Sequence, residues 1–184
     1  MNRDELIALL AAADPLDAVA ATSTRAPLEV RLMVGPPPAE WLVDTDDEGA
    51  VADHRAAHDA GRPSEAVVRY GIGTTPESIA DRLLALAALA EDTGLLRAVR
   101  PESADGTDQR PGSWGVEDLT IVAAARAALP DSVLVVPSWE RIGPGATQVA
   151  AAFGATAWRC PEDATVSPEH LARSVAVTLT EDVN

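Results

Sequence analysis

A chain of 184 residues that is 47% hydrophobic is long enough and apolar enough to bury one real core. Its net charge of -15 argues against nucleic acid and anionic membranes as partners, because phosphate contacts need clustered Lys and Arg. All 14 basic residues are arginines, which excludes Schiff-base and phosphate-loop lysines, and the single cysteine excludes an internal disulfide or a multi-cysteine metal site. With no charged-then-apolar leader and no apolar run of about 18 residues, the expectation is a soluble cytoplasmic protein without a membrane span.

Asn2 and Glu5 predict a capping box for a first helix carrying Leu6, Leu9 and Leu10. A second short helix restarts at Asp14-Pro15 and ends at Pro27, and residues 28–34 read as the first strand. Gly35-Pro36-Pro37-Pro38 is a stiff connector, residues 41–43 a brief strand, and a helix runs from near Asp46 to about Ala60.

The clearest unit follows. Strand 66–70 feeds the Gly71-Ile72-Gly73 turn, Thr75 caps a helix with Pro76 at its first position, and Ile79, Leu83, Leu86 and Ala90 form one face before Gly94 stops it. Residues 95–100 predict a strand and 101–115 a long loop carrying Trp114. Residues 116–129 predict an Ala-rich helix, and 133–137 a strand apolar enough to be buried on both faces. A turn at 138–145, a helix at 144–153, a strand at 155–159 and a helix capped by Ser167-Pro168-Glu169 complete the order; 175–179 reads equally as helix or strand. The sum is a single α/β domain, residues 1–184, with a parallel sheet of five or six strands wrapped by helices: an incomplete TIM-like barrel or an open curved sheet.

Several residues are candidates for chemistry. His54 and His58, four apart on a helix beside Asp53 and Asp59, are either part of a solvated acidic face or a two-histidine metal site. Cys160, next to Arg159, is either a small buried residue or a nucleophile whose pKa an arginine lowers; nothing links His170 to it. Ser138, Trp139 and Arg141 lie at the C-terminal end of the most apolar strand, where parallel β/α folds bind ligands. There Trp139 stacks on a ring or simply covers the mouth, and Arg141 suits a carboxylate or phosphate. Tyr70, Gly71, Gly73 and Thr74 end another strand and offer backbone N–H groups to an anion. Asp44, Asp46, Asp47 and Glu48 read as helix capping or a weak divalent-ion site.

The order of motifs from His58 to about residue 165 resembles the C-terminal half of a group of radical S-adenosylmethionine enzymes: aminofutalosine synthase, dehypoxanthine futalosine cyclase and the deazaflavin (FO) synthase subunits. The matching residues are Tyr70-Gly71-Ile72-Gly73-Thr74, Glu91-Asp92-Thr93-Gly94, Ala123-Ala124-Ala125-Arg126, Pro130-Asp131, Ser138-Trp139, Gly143, Ala146, Gln148 and Phe153-Gly154-Ala155. Residues 1–34 look like the family's N-terminal helices and first strand. The family's Cys-x-x-x-Cys-x-x-Cys after that strand is replaced by Gly35-Pro36-Pro37-Pro38, and its turn glutamate by Thr74. The resemblance therefore implies a shortened relative without an iron–sulfur cluster and without radical chemistry. Such a relative is a pseudoenzyme that binds a small metabolite or a partner enzyme in menaquinone or deazaflavin synthesis. Exposed sheet edges then imply a homodimer or a complex with a full-length family member. The alternative is an enzyme of another class, a hydrolase or isomerase using the same sheet edge through Glu140, Arg141 or Asp118.

Overall fold

The computed structural model describes residues 1–12, 14, 17, 29–44, 51–104 and 115–181. Among these the chain is α/β, with six helices and seven strands whose pairings are all parallel. In chain order the elements are α1 (Arg3–Leu10), β1 (Glu29–Val34), β2 (Leu42–Val43), α2 (Val51–Asp59), β3 (Ser64–Tyr70), α3 (Pro76–Thr93) and β4 (Leu96–Ser103). They continue with α4 (Val116–Ala128), β5 (Leu134–Val135), α5 (Trp139–Ala150), β6 (Ala157–Cys160), α6 (Pro168–Ser174) and β7 (Thr178–Glu181).

The strands form a four-stranded sheet, β2-β3-β4-β5, and a three-stranded sheet, β6-β1-β7. The two adjoin at β5 and β6 through a parallel bridge between Ser138 and Arg159 and a hydrogen bond from Thr156 N–H to the Val135 carbonyl (3.0 Å). Seven strands exceed the five or six expected. The surplus is β7, which resolves the ambiguous segment near 175–179: Ala176, at φ 56, ends the turn after α6 and redirects the chain into a strand on β1.

Local chemistry explains the elements. Asn2 Oδ1 accepts from Glu5 N–H while Glu5 Oε2 accepts from Asn2 N–H, closing the expected capping box. Thr75 Oγ1 accepts from Ser78 N–H and Ser78 Oγ from Thr75 N–H, so serine takes the reciprocal role in α3. Gly94 ends α3 at φ 66, where a Cβ is disfavoured. Leu6, Leu83, Leu86 and Leu89 are fully buried where α1 and α3 meet, each worth about 1.5–3 kcal/mol of burial.

Two boundaries differ from the sequence expectation. β4 runs on through Pro101 to Ser103, beyond the expected loop start. Proline is tolerated there because β5 pairs only with Ala98 and Val99, so no neighbour needs the missing N–H. The turn expected at 138–145 is instead the first turn of α5, interrupted at Gly143 (φ 77, ψ 166) before Pro144 restarts it. The start of the helix expected from Asp46, the short helix after Pro15 and the loop with Trp114 lie outside the described residues, as do Asp46, Asp47 and Glu48.

Period-two alternation sorts β3 into two layers. Ala66, Val68 and Tyr70 enter the helix-side core with α3 and α4, whereas Glu65, Val67 and Arg69 face the other way. Glu65 of β3 contacts Arg159 of β6 at 2.7 Å, although β4 and β5 intervene. In a flat sheet, strands three spacings apart are about 14 Å apart. Long arginine and glutamate side chains on the face opposite the helix-side core span that distance.

Candidate functional site

A cavity of about 610 Å³ opens at the C-terminal ends of the strands. Gly35 and the prolines that follow β1, Pro137 to Glu140 after β5, and Cys160 to Asp163 at the end of β6 form its rim. Arg100 and Arg159 line it from β4 and β6. Ser138 and Trp139, two of the expected ligand residues, are on its wall. Trp139 is at the same time largely buried against Val30, Trp158 and Leu171, so packing holds it in place.

Beside the cavity lies a cluster of six ionised groups that the sequence reading did not assemble. The Arg159 guanidinium donates to Glu65 Oε1 at 2.7 Å. Arg100 lies between two carboxylates, its Nε 3.8 Å from Glu65 Oε1 and its terminal nitrogen 3.5 Å from Glu102 Oε2. Glu102 Oε1 is 3.5 Å from Arg141 and 3.9 Å from Arg69. Four guanidiniums thus gather around two glutamate side chains on one face of the sheet. Only the Arg159–Glu65 contact has the length of a charge-assisted hydrogen bond. Arg100 Nε, Arg159 Nε and Glu65 Oε2 are buried without a hydrogen-bond partner among the described residues. A legible signal existed: ionisable residues at alternate positions of otherwise apolar strands (Glu65 and Arg69, Arg100 and Glu102) place charge inside a sheet whose other face is core.

The structure separates the expected site residues. Arg141 reaches Glu102 rather than the cavity wall. Tyr70 and Thr74 line a different, helix-side cavity of about 380 Å³, together with Ile79, Val116, Glu117 and Ile121. The Tyr70 hydroxyl donates to Asp118 Oδ1 at 2.5 Å, and Asp118 Oδ2 accepts from Gly115 N–H. Burial beside that carboxylate pushes the Tyr70 pKa far up, which locks the phenol in its neutral donor form. Gly71 and Gly73 form the turn at φ 96 and 88 and line neither cavity. Glu140, Arg141 and Asp118 therefore do not converge.

Cys160 is buried among apolar neighbours, and burial raises its thiol to about 11, with Glu169 adding to the shift. Strand alternation explains why Arg159 does not activate it: the adjacent side chain points to the opposite face, onto Glu65. His170 is exposed on α6.

His54 and His58 are buried, not solvated, which corrects the plain reading of that helix face. Their four ring nitrogens are engaged: His54 Nδ1 with Ser64 Oγ (2.9 Å) and Nε2 with Asp44 Oδ2 (3.4 Å), His58 Nε2 with Ser64 Oγ (2.8 Å) and Nδ1 with Thr93 Oγ1 (2.7 Å). Asp44 also accepts from Arg82 at 2.5 Å, and the Thr93 hydroxyl donates to the Leu89 carbonyl at 2.8 Å. Ser64 Oγ and Asp44 thus bracket the His54 ring, and Ser64 Oγ and Thr93 Oγ1 the His58 ring. Asp44, His54 and Ser64 have the composition of a hydrolytic triad. Ser64 is wholly buried at the N-terminal end of β3, however, away from the strand ends that form the large cavity, so no substrate reaches it. No group of three metal-ligating side chains occurs among the described residues.

Burial lowers the pKa of both histidines. For His54 the Asp44 carboxylate opposes the shift; for His58 the neighbouring His54 adds to it. The unfolded chain therefore binds protons first as pH falls through about 6.5, and the stability from these neutral rings, complete above that pH, is lost below it. Urea unfolding of the wild type should show a lower midpoint at pH 5.5 than at pH 7.5, and His58→Gln should reduce that difference. An equal pH dependence in both proteins counts against the buried neutral network.

No protein-family model matches the chain, and no curated protein matches it significantly. None of the described helices is long and apolar enough to cross a membrane.

Proposed function

We propose that this chain is a cytoplasmic, non-catalytic binding protein that takes an anionic small metabolite at the concave end of a partial barrel. The supporting observation is Arg100. Its guanidinium lines the cavity, is largely buried, and lies between two carboxylates without a hydrogen bond at Nε. A partly exposed cation whose Nε has no hydrogen-bond partner among the described residues, at the strand ends, suits a carboxylate or phosphate, and Trp139 offers an adjacent ring surface. We place the protein beside the radical S-adenosylmethionine enzymes of menaquinone and deazaflavin synthesis, as a homodimer or docked on a full-length member. The residues after β1 do not fit that family's iron–sulfur cluster: Gly35-Pro36-Pro37-Pro38 carries no thiolate, and the single cysteine is a buried thiol. A hydrolase or isomerase has less support, because the one nucleophile–base pair found among the described residues, Ser64 with its histidines, is sealed.

Native mass spectrometry of protein purified gently from its own host tests the proposal. The expected result is a retained anionic molecule, absent from Arg100→Gln. In calorimetry, phenyl phosphate or benzoate should bind the wild type about tenfold or more tighter than Arg100→Gln, as expected for losing a charged donor. A bound iron–sulfur cluster, or equal affinity in the two proteins, overturns it.

A further inference from the structure

Resting on this anion-binding reading, we propose that the ligand is a zwitterion: its anionic group meets Arg100 and Arg159 inside the cavity, and an ammonium group of the same molecule meets three carboxylates at the rim. The charged residues lining the cavity are of two kinds, and they differ in depth. Arg100 and Arg159 have side chains only 24% and 10% exposed. Glu140, Glu162 and Asp163 line the same cavity and are exposed. None of these three carboxylates makes a side-chain hydrogen bond or an ion pair among the described residues. Glu162 lies against the turn after β1, because a Cβ added to Gly35 would be 3.1 Å from its Oε1. Its carboxylate is therefore over the strand ends rather than turned away from them.

An acidic rim is a poor entrance for a simple anion. A carboxylate or phosphate moving toward Arg100 passes three like charges, which lowers its encounter rate and its affinity. A ligand that carries its own cation reverses the sign: the rim attracts one end while the arginines hold the other. The rim does not serve to neutralise the two arginines, whose ion-pair partners are the interior glutamates Glu65 and Glu102. Helix chemistry accounts for only one of the three carboxylates. Glu140 is in the first turn of α5, where it complements the helix dipole. Glu162 and Asp163 lie in the connection before α6, whose cap is Ser167, so capping does not explain their place at the cavity. Glu140, Glu162 and Asp163 are then specificity residues, selecting an ammonium-bearing anion over the same anion without the amine.

Calorimetry with two matched pairs of probes tests the proposal: para-(aminomethyl)benzoate against para-toluate, and phenylalanine against hydrocinnamate. Within each pair only the amine differs, and the two amines stand at different distances from the carboxylate, so no single spacing decides the outcome. In the wild type at least one amine-bearing probe is expected to bind about fivefold or more tighter than its partner, the gain of one or two exposed ion pairs. In Glu140→Gln/Glu162→Gln/Asp163→Asn that gain should vanish while the amine-free acid binds more tightly. A general loss of structure weakens both probes and cannot produce these opposite movements. Glu91→Gln, which removes the same charge from an exposed position on α3, should change either affinity by less than about twofold, as remote surface charges are screened. Equal binding within both pairs in the wild type, or an amine gain that survives in the triple variant, overturns the proposal. The anion-binding reading then stands if Arg100→Gln still weakens the amine-free acids. If no probe binds the wild type, the anion-binding function itself falls.

Discussion

Arg159→Met is expected to destabilise the protein by about 3–5 kcal/mol, the usual cost of leaving one partner of a buried ion pair without the other. The partner left behind is Glu65, fully buried, with Oε2 already lacking a hydrogen bond among the described residues. Removing Arg159 takes away its 2.7 Å contact and leaves Arg100, at 3.8 Å, as the nearest cation among the described residues. The pair also ties β3 to β6 on the face opposite the helix-side core, so its loss loosens the junction of the two sheets. The double variant Glu65→Met/Arg159→Met should recover most of the loss, because two apolar side chains of similar length need no desolvated partner. Urea unfolding of the two single variants and the double variant measures the coupling. Additive losses, with no recovery in the double variant, would refute the assignment of Glu65 as a carboxylate that depends on Arg159.

Gly154→Ala is expected to cost about 2–5 kcal/mol, combining left-handed backbone strain with overpacking. Gly154 caps the single 3₁₀ turn Ala151–Phe153 at φ 97, where a Cβ is strained in any surroundings. An added Cβ would lie 2.6 Å from Arg126 Cγ and 2.8 Å from its Cβ. These atoms cannot retreat easily: Arg126 is itself buried on α4, and its guanidinium is paired with Asp131 at 2.9 Å. The two contributions separate in a cycle. In an Arg126→Ala background the steric part disappears, and Gly154→Ala should cost only the backbone part, about 1–3 kcal/mol. Equal costs in both backgrounds would mean that the close approach to Arg126 carries no weight.

The two expectations show where sequence reading succeeded and where it ended. The helix caps at Asn2, Thr75 and Ser167 are legible in sequence because each depends on residues within three positions. The β-α order was likewise legible from period-two and 3.6-residue patterns. The spacing of His54 and His58 is legible in sequence, whereas their burial is not. Helical spacing shows that they share a face; only the arrival of Ser64, Thr93 and Asp44 makes that face interior and neutral.

What the sequence by itself determined is the α/β class with its parallel strands, the placement of Ser138 and Trp139 at strand ends, and the lack of lysine and multi-thiolate chemistry. These follow from local spacing and from composition. Only the tertiary structure decided that Tyr70 and Thr74 belong to a different cavity from Ser138, and that the charged group nearest the large cavity is Arg69, Arg100, Arg141 and Arg159 around Glu65 and Glu102. The physical reason is that these six residues come from β3, β4, α5 and β6 and meet only once the strands have paired in their order and register. Strand order is a property of the whole set of packed strands, so no segment of sequence encodes which charges it brings together.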